Sequence, residues 1–353
     1  MKILGLFLGA DPRTQGGIQT FGRNLKKFYG EKITFLTNAN SLKKIYDISN
    51  IDTIGFNNLF FKILNKILKN KLRKYLIIKK IQEQKYDIII LSFPHELELL
   101  KNVEAKKIVV QHFKFDYFLS DVEKIKKLKD ILDYYVVLSP YDKIKFQEGF
   151  NIPEKKIKVI RHTCNIDILE RKKEKNNRLV MIARIDNFQK RFDLAIKAMR
   201  KLPEFILDIY GEEHILGDIE RLKNLMLEEN ITNVNFNGVT KNVKNKLDRS
   251  GIFIMTSDYE GYPIAVIEAM NRGLPIILRD TFDSAKDIII NNRNGILLNK
   301  EWNEDEFVEA VRKVYNSYEY YSENSKELGK RYNPEVIKKE WDKLFLELKN
   351  EEK

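Results

Sequence analysis

Short apolar runs alternate with polar or amphipathic stretches along nearly the whole chain. In the first half the runs fall at residues 3–8, 33–37, 88–93, 107–111 and 134–138, each followed by polar or helix-like sequence. They predict buried strands, and their alternation with helical stretches predicts a parallel sheet covered on both faces. The pattern then restarts. Residues 179–183, 205–210, 234–237, 252–256, 275–278 and 295–298 read as strands, with helical stretches such as 192–201 and 216–229 between them. Between the halves, residues 166–177 are charged and lack strand or core signals, which marks a linker. The chain closes with a helix from 334 to about 349 whose apolar side includes Val336, Ile337, Trp341, Leu344, Phe345 and Leu348.

This is an α/β architecture of two doubly wound, Rossmann-like domains, at 1–165 and 178–332, followed by a final helix at 333–353. A chain of 353 residues exceeds the size at which single cores stop growing, in keeping with that division. Two such domains place a ligand cleft at the carboxyl ends of their strands.

Composition narrows the picture. With 43% hydrophobic residues, 21 Phe and 16 Tyr, the chain can build sizeable cores, so global disorder is excluded. The single cysteine, Cys164, excludes an intramolecular disulfide and suits a reducing cytosol. The opening apolar run ends at Asp11-Pro12-Arg13 without a cleavage pattern, so it reads as a first strand rather than a signal peptide. No apolar stretch approaches the ~20 residues of a bilayer span. The expectation is a soluble, cytoplasmic protein with room for peripheral membrane attachment. Residues 1–165 carry 31 Lys and Arg against 17 Asp and Glu, whereas 166–353 carry 32 against 34. All of the net charge of +12 therefore lies in the first half, which is expected to meet something anionic.

Candidate chemistry concentrates in the second half. In SDYEGYPIAVIEAMNRG, residues 257–273, Glu260 lies just beyond a strand and just before a helix N-terminus. Pro263 suits that helix's first turn, and Gly273 ends it. Glu268 stands more than one turn into the helix, amid apolar neighbours, where a carboxylate needs a hydrogen-bonding ligand or neighbour, or a path to solvent. Upstream, Arg184 follows the strand at 179–183 and Lys190 precedes an amphipathic helix. Two cations at a strand-to-helix turn fit a diphosphate. In the first half, Gly16 and Gly17 open the first helix and allow a phosphate or sugar close to the backbone. His112 and, less directly, His95 follow buried strands. His162 and Cys164 lie near the crossing between domains and receive no role. No D-x-D, nucleophile motif or metal-ligand spacing occurs.

The order Arg184, Lys190, Glu260 and, after seven residues, Glu268 resembles the signature of the family-4 retaining glycosyltransferases with the GT-B fold. Asp287-Ile288-Ile289 with Asn294-Gly295-Ile296-Leu297, the glycine loop Gln15-Gly16-Gly17-Ile18, His112 and the closing helix extend the resemblance along the chain. It implies two Rossmann-like domains facing across a cleft, with the last helix crossing back to the first. It implies a nucleotide-diphosphate sugar donor, UDP-linked by default, and a glycan or polyprenyl-linked acceptor at the cytoplasmic membrane face. Arg184 and Lys190 would hold the diphosphate and Glu268 the ribose. Glu260 would lie near the transferred sugar, with the backbone N–H groups of Gly261, Tyr262 and Ile264, and His112 would bond that sugar. Pro263 removes one amide donor from this loop. His95 would face the acceptor. No cofactor or metal is implied.

Residues 60–85 hold nine basic residues and one acid, Glu83, with Phe60, Ile63, Leu64, Ile67, Leu68, Leu72, Tyr75 and Leu76 at helical spacing. This basic amphipathic stretch suits either an anionic membrane surface or packing against the first sheet. Two other classes stay open on sequence grounds. One is a GT-B protein that is not a transferase, such as an epimerase or an inactive partner subunit. The other is a nucleic-acid binder, prompted by the pI of 9.3 but lacking any recognition motif, so no nucleic-acid partner is expected.

Overall fold

The computed structural model describes residues 1–14, 16–38, 44, 46–53, 66 and 71–350. Two compact units emerge. Residues Met1–His162 and the final helix form the first, and Thr163–Asn333 the second.

The first unit is built on seven parallel strands: β1 (Ile3–Leu6), β2 (Ile33–Thr37), β3 (Ile51–Thr53), β4 (Ile88–Leu91), β5 (Lys106–Val110), β6 (Tyr134–Val137) and β7 (Ile157–Val159). Their order is β3-β2-β1-β4-β5-β6-β7, with Ile3 opposite both Ile33 and Ile88. Every residue of β1, β4 and β6 is buried, as a sheet with both faces covered requires. The helix Gly17–Tyr29 buries Phe21, Leu25 and Tyr29, one residue per turn on one side. The last helix, Pro334–Asn350, belongs to this unit. Its Trp341 ring lies 5.9 Å from Phe21 and its Phe345 ring 5.2 Å from Tyr29.

The second unit carries six parallel strands: β8 (Arg178–Ile182), β9 (Ile206–Tyr210), β10 (Val234–Phe236), β11 (Ile252–Met255), β12 (Ile276–Arg279) and β13 (Gly295–Leu298). The order is β10-β9-β8-β11-β12-β13. In both sheets the order reverses once, between β1 and β4 and between β8 and β11. Such a reversal opens a crevice at the carboxyl ends of the two strands, where doubly wound sheets hold ligands.

Three expectations change. Strands β3 and β7 are additions at the edges of the first sheet. Residues 166–177 are not a free linker but fold onto the second unit. There Leu169 donates its backbone N–H to the Asn271 carbonyl at 2.7 Å, and buried Lys173 donates to the carbonyls of Leu247 and Asp248 at 2.8 and 2.5 Å. Those carbonyls close the helix Val243–Arg249, so the charge is held by a helix C-terminus. Val336 is 41% exposed rather than on the buried side of the last helix. Most of the basic stretch at 60–85 lies outside the described residues. Its described part, the helix Lys71–Gln84, buries Ile77 and Ile81 and leaves Tyr75 60% exposed.

Candidate active site

The turns that follow β8 and β11 carry Arg184, Lys190, Arg191, Asp258 and Glu260. Beyond β8 the chain makes one helical turn, Asn187–Lys190. Asp186 caps it by accepting from the Gln189 N–H, and Asp218 accepts from the Asn187 N–H at 2.8 Å. Arg191 then takes a left-handed conformation, φ 51°, before the helix Phe192–Ala198 begins. This turn is tied to the end of β11. Thr256 donates its hydroxyl to the carbonyls of Lys190 and Arg191, and Asp258 donates its N–H to the Gln189 carbonyl. Gln189 Nε2 donates to the Tyr259 carbonyl at 3.0 Å.

These bonds bring Lys190 to Glu260. Lys190 Nζ donates to Glu260 Oε1 at 2.6 Å, with the two side chains only 12% and 9% exposed. An ammonium has three donors, so this contact leaves others for a further acceptor. Arg184 is the exposed cation of the group. Its Nη1 lies 3.1 Å from His214 Nε2, which accepts because a guanidinium can only donate. Gly211 allows His214's loop to pass this close: a Cβ on Gly211 would collide with the Ala183 carbonyl.

Sequence reasoning missed Asp258, although it stands inside the stretch 257–273. Arg279 donates to it at 2.5 Å and Arg191 at 3.1 Å. Burial disfavours its ionised form, but bonds from both arginines outweigh burial and hold its pKa below the usual carboxylate value. Arg279 also donates to the carbonyls of Thr256 and Lys300. The signal for this clamp was the arginine ending an otherwise apolar strand.

The loop after Glu260 is equally constrained. Ser284 donates to the Gly261 carbonyl at 2.9 Å, and the buried Tyr262 hydroxyl donates to Asp287 Oδ2 at 3.0 Å. Tyr332 joins its own hydroxyl to that of Tyr262 at 3.1 Å, a contact with no forerunner in the sequence pattern. Pro263 is the N-cap of the helix Ile264–Asn271, and Gly273, φ 73°, follows its end. Glu268 is half-buried on that helix, so its carboxylate is not sealed in the core.

In the first unit, Gly16 is the N-cap of Gly17–Tyr29 with φ 147°, and Gly17 is exposed. Gln15 lies outside the described residues. His112 follows β5, with its ring 5.1 Å from Phe21 and 5.5 Å from His162. His95 is exposed beyond β4, its ring 5.4 Å from Phe93. Among the described residues, no group of His, Cys, Asp and Glu is arranged to hold a metal ion.

Two solved structures share this architecture along its length. HepE of Anabaena, in complex with UDP and glucose, is 15% identical with a TM-score of 0.80 over 98% of this chain and 99% of its own. The lipopolysaccharide outer core galactosyltransferase WaaB, 18% identical, reaches 0.76 over 98% and 99%. The fold is therefore GT-B. Residues 166–331, nearly the whole second unit, match the family described as Glycosyl transferases group 1. An uncharacterized glycosyltransferase of Haemophilus influenzae is 28% identical over 91% of this chain and 97% of its own length. A Campylobacter jejuni relative, 23% identical over 86% and 85%, is an α-1,4-N-acetyl-D-galactosaminyltransferase named for an undecaprenol-linked substrate.

Proposed function

We propose that the chain is a retaining, metal-independent hexosyltransferase in cell-surface polysaccharide or lipid-linked glycan synthesis. It takes sugar from a nucleotide-diphosphate donor, UDP-linked first, to a glycan or lipid-linked acceptor at the cytoplasmic membrane face. The observation that carries the reading is the Lys190–Glu260 pair, with Arg184 beside it, where the order of the second sheet reverses. Names of relatives favour the same substrates. The Campylobacter protein is named for an undecaprenol-linked glycan, and HepE holds UDP and glucose.

The chemistry follows from the charges. As the bond between the sugar's anomeric carbon and the diphosphate breaks, negative charge grows on the leaving phosphate. Lys190 and Arg184 stabilise that charge, Lys190 while still bonded to Glu260. Glu260 accepts from a sugar hydroxyl, and Glu268 accepts from the ribose. The acceptor hydroxyl bonds to the anomeric carbon from the face the diphosphate leaves, and its proton passes to the leaving phosphate oxygen. His112 donates a hydrogen bond to the transferred sugar, Gly16 and Gly17 leave the backbone open to it, and His95 faces the acceptor. The basic first unit, with the 60–85 stretch, supplies attraction to an anionic membrane.

The test offers the purified full chain a panel of nucleotide sugars without added metal and records binding, slow donor hydrolysis and the anomer released. Binding and hydrolysis of one donor with retained configuration is the expected outcome. No binding of any nucleotide sugar overturns the reading, an inverted product overturns retention, and conversion of one nucleotide sugar into its epimer would identify a nucleotide-sugar epimerase.

A further inference from the structure

The His112 and His162 rings lie 5.5 Å apart and within 13° of parallel. Both also pack on Phe21, at 5.1 and 5.4 Å, and Phe21 is backed by Trp341 at 5.9 Å. Four elements of one unit thus converge on a pair of imidazoles: the helix Gly17–Tyr29, the end of β5, the chain beyond β7 and the last helix. His112 Nε2 is buried and has no hydrogen-bond partner, although the residue as a whole keeps partial exposure. A buried N–H without an acceptor is rarer and costlier in folded proteins than a buried lone pair without a donor. The proton of the neutral ring therefore belongs on Nδ1.

We propose that His162 is a positioning residue for His112, its stacked ring fixing the orientation and tautomer in which Nδ1–H is the donor available to a ligand oxygen. The catalytic half of this statement rests on the function proposed above, and the tautomer does not. Two stacked imidazolium ions would repel, so the pair admits a second proton poorly. Burial lowers the pKa of His162 to about 4; burial first and then the neighbouring His162 hold His112 well below the usual histidine value. The surrounding elements bring Arg23, Lys26 and Lys27 on the first helix, Arg161 beside His162, and Lys338, Glu340 and Asp342 on the last helix. Of these, Lys26 pairs with Glu31, Lys338 with Asp342, and Arg161 acts on Glu340.

Nitrogen-15 NMR of the histidines in the full chain reads the tautomer directly and needs no donor. His112 should show Nδ1–H and stay neutral from about pH 8 to pH 5. His162→Ala should convert it to a tautomer mixture and lower kcat of donor hydrolysis about 10- to 100-fold with KM little changed. His162→Phe, which keeps a stacked ring and guards against a variant that fails to fold, should restore both. A wild-type Nε2–H tautomer, or a folded His162→Ala protein with unchanged His112 signals, overturns the proposal. The expected NMR behaviour of parent and variants, with no turnover of any donor, would instead remove the catalytic reading and leave the positioning.

Discussion

Lys190 and Glu260 are seventy residues apart in sequence, yet their polar atoms meet at 2.6 Å with little exposure. Their residue types and places after strands were legible, because a cation and a carboxylate at two strand-to-helix turns stand out from apolar surroundings. The pairing was not, since it depends on Thr256, Gln189 and Asp258 stitching the two turns together through backbone bonds. A pair this little exposed also separates stability from chemistry. Lys190→Met leaves a carboxylate without its partner and should cost about 3 kcal/mol, measured by denaturant titration. Adding Glu260→Gln removes that carboxylate and should recover most of the loss. Activity should move differently: the single and double variants should both lose about 100-fold or more in kcat, because the ammonium facing the phosphate is gone in each. Recovery of turnover in the double variant would show that Lys190 serves only to hold Glu260.

At the scale of elements, the strands whose every residue is buried were the easiest to read. Strand β4, four apolar residues in a row, could be little else. The edge strands β3 and β7, three residues each and carrying Asp52 and Lys158, lack that run and were invisible. The helix Ile264–Asn271 was read from its punctuation, proline before and glycine after. Its end now has a mechanism. Gly273 turns at φ 73°, and a Cβ there would press within 3.1–3.3 Å of the Lys326 side chain and the Ser322 hydroxyl, which itself donates to the Gly273 carbonyl. Gly273→Ala should therefore destabilise the second unit by about 1–2 kcal/mol, seen as a lower midpoint in thermal unfolding. An unchanged midpoint would mean that the helix Tyr318–Gly329 moves away freely. The charged stretch 166–177 misled for a related reason: Lys173 looks like a solvated cation in sequence, but it closes a helix end.

At the scale of the whole molecule, two runs of one pattern gave two doubly wound sheets, while the electrostatic interior stayed hidden. Sequence cannot show that Glu96 and His162 are buried in the first unit, with His112 half-buried against His162, and with opposite consequences. Each histidine has a folded pKa below its ordinary 6.5, so the unfolded chain binds more protons in that window. Stability from His162 is fully present above pH 6.5 and falls as pH drops towards its folded value of about 4. Glu96 is the reverse. Burial, the largest influence, raises its pKa well above 4.5, so its contribution falls as pH rises. A bare stability curve would mix these trends, and a difference isolates one of them. Unfolding of the first unit can be followed by fluorescence of buried Trp341 in a Trp302→Phe background, for the parent and for His162→Phe. Relative to the parent, the His162→Phe chain should gain about 2 kcal/mol between pH 7.5 and pH 5, because it has no buried imidazole to protonate on unfolding. The Glu96 term is common to both proteins and cancels. A difference that does not change with pH would mean that His162 is as easily protonated in the folded chain as in the unfolded one, and the stacked pair would then be open to water.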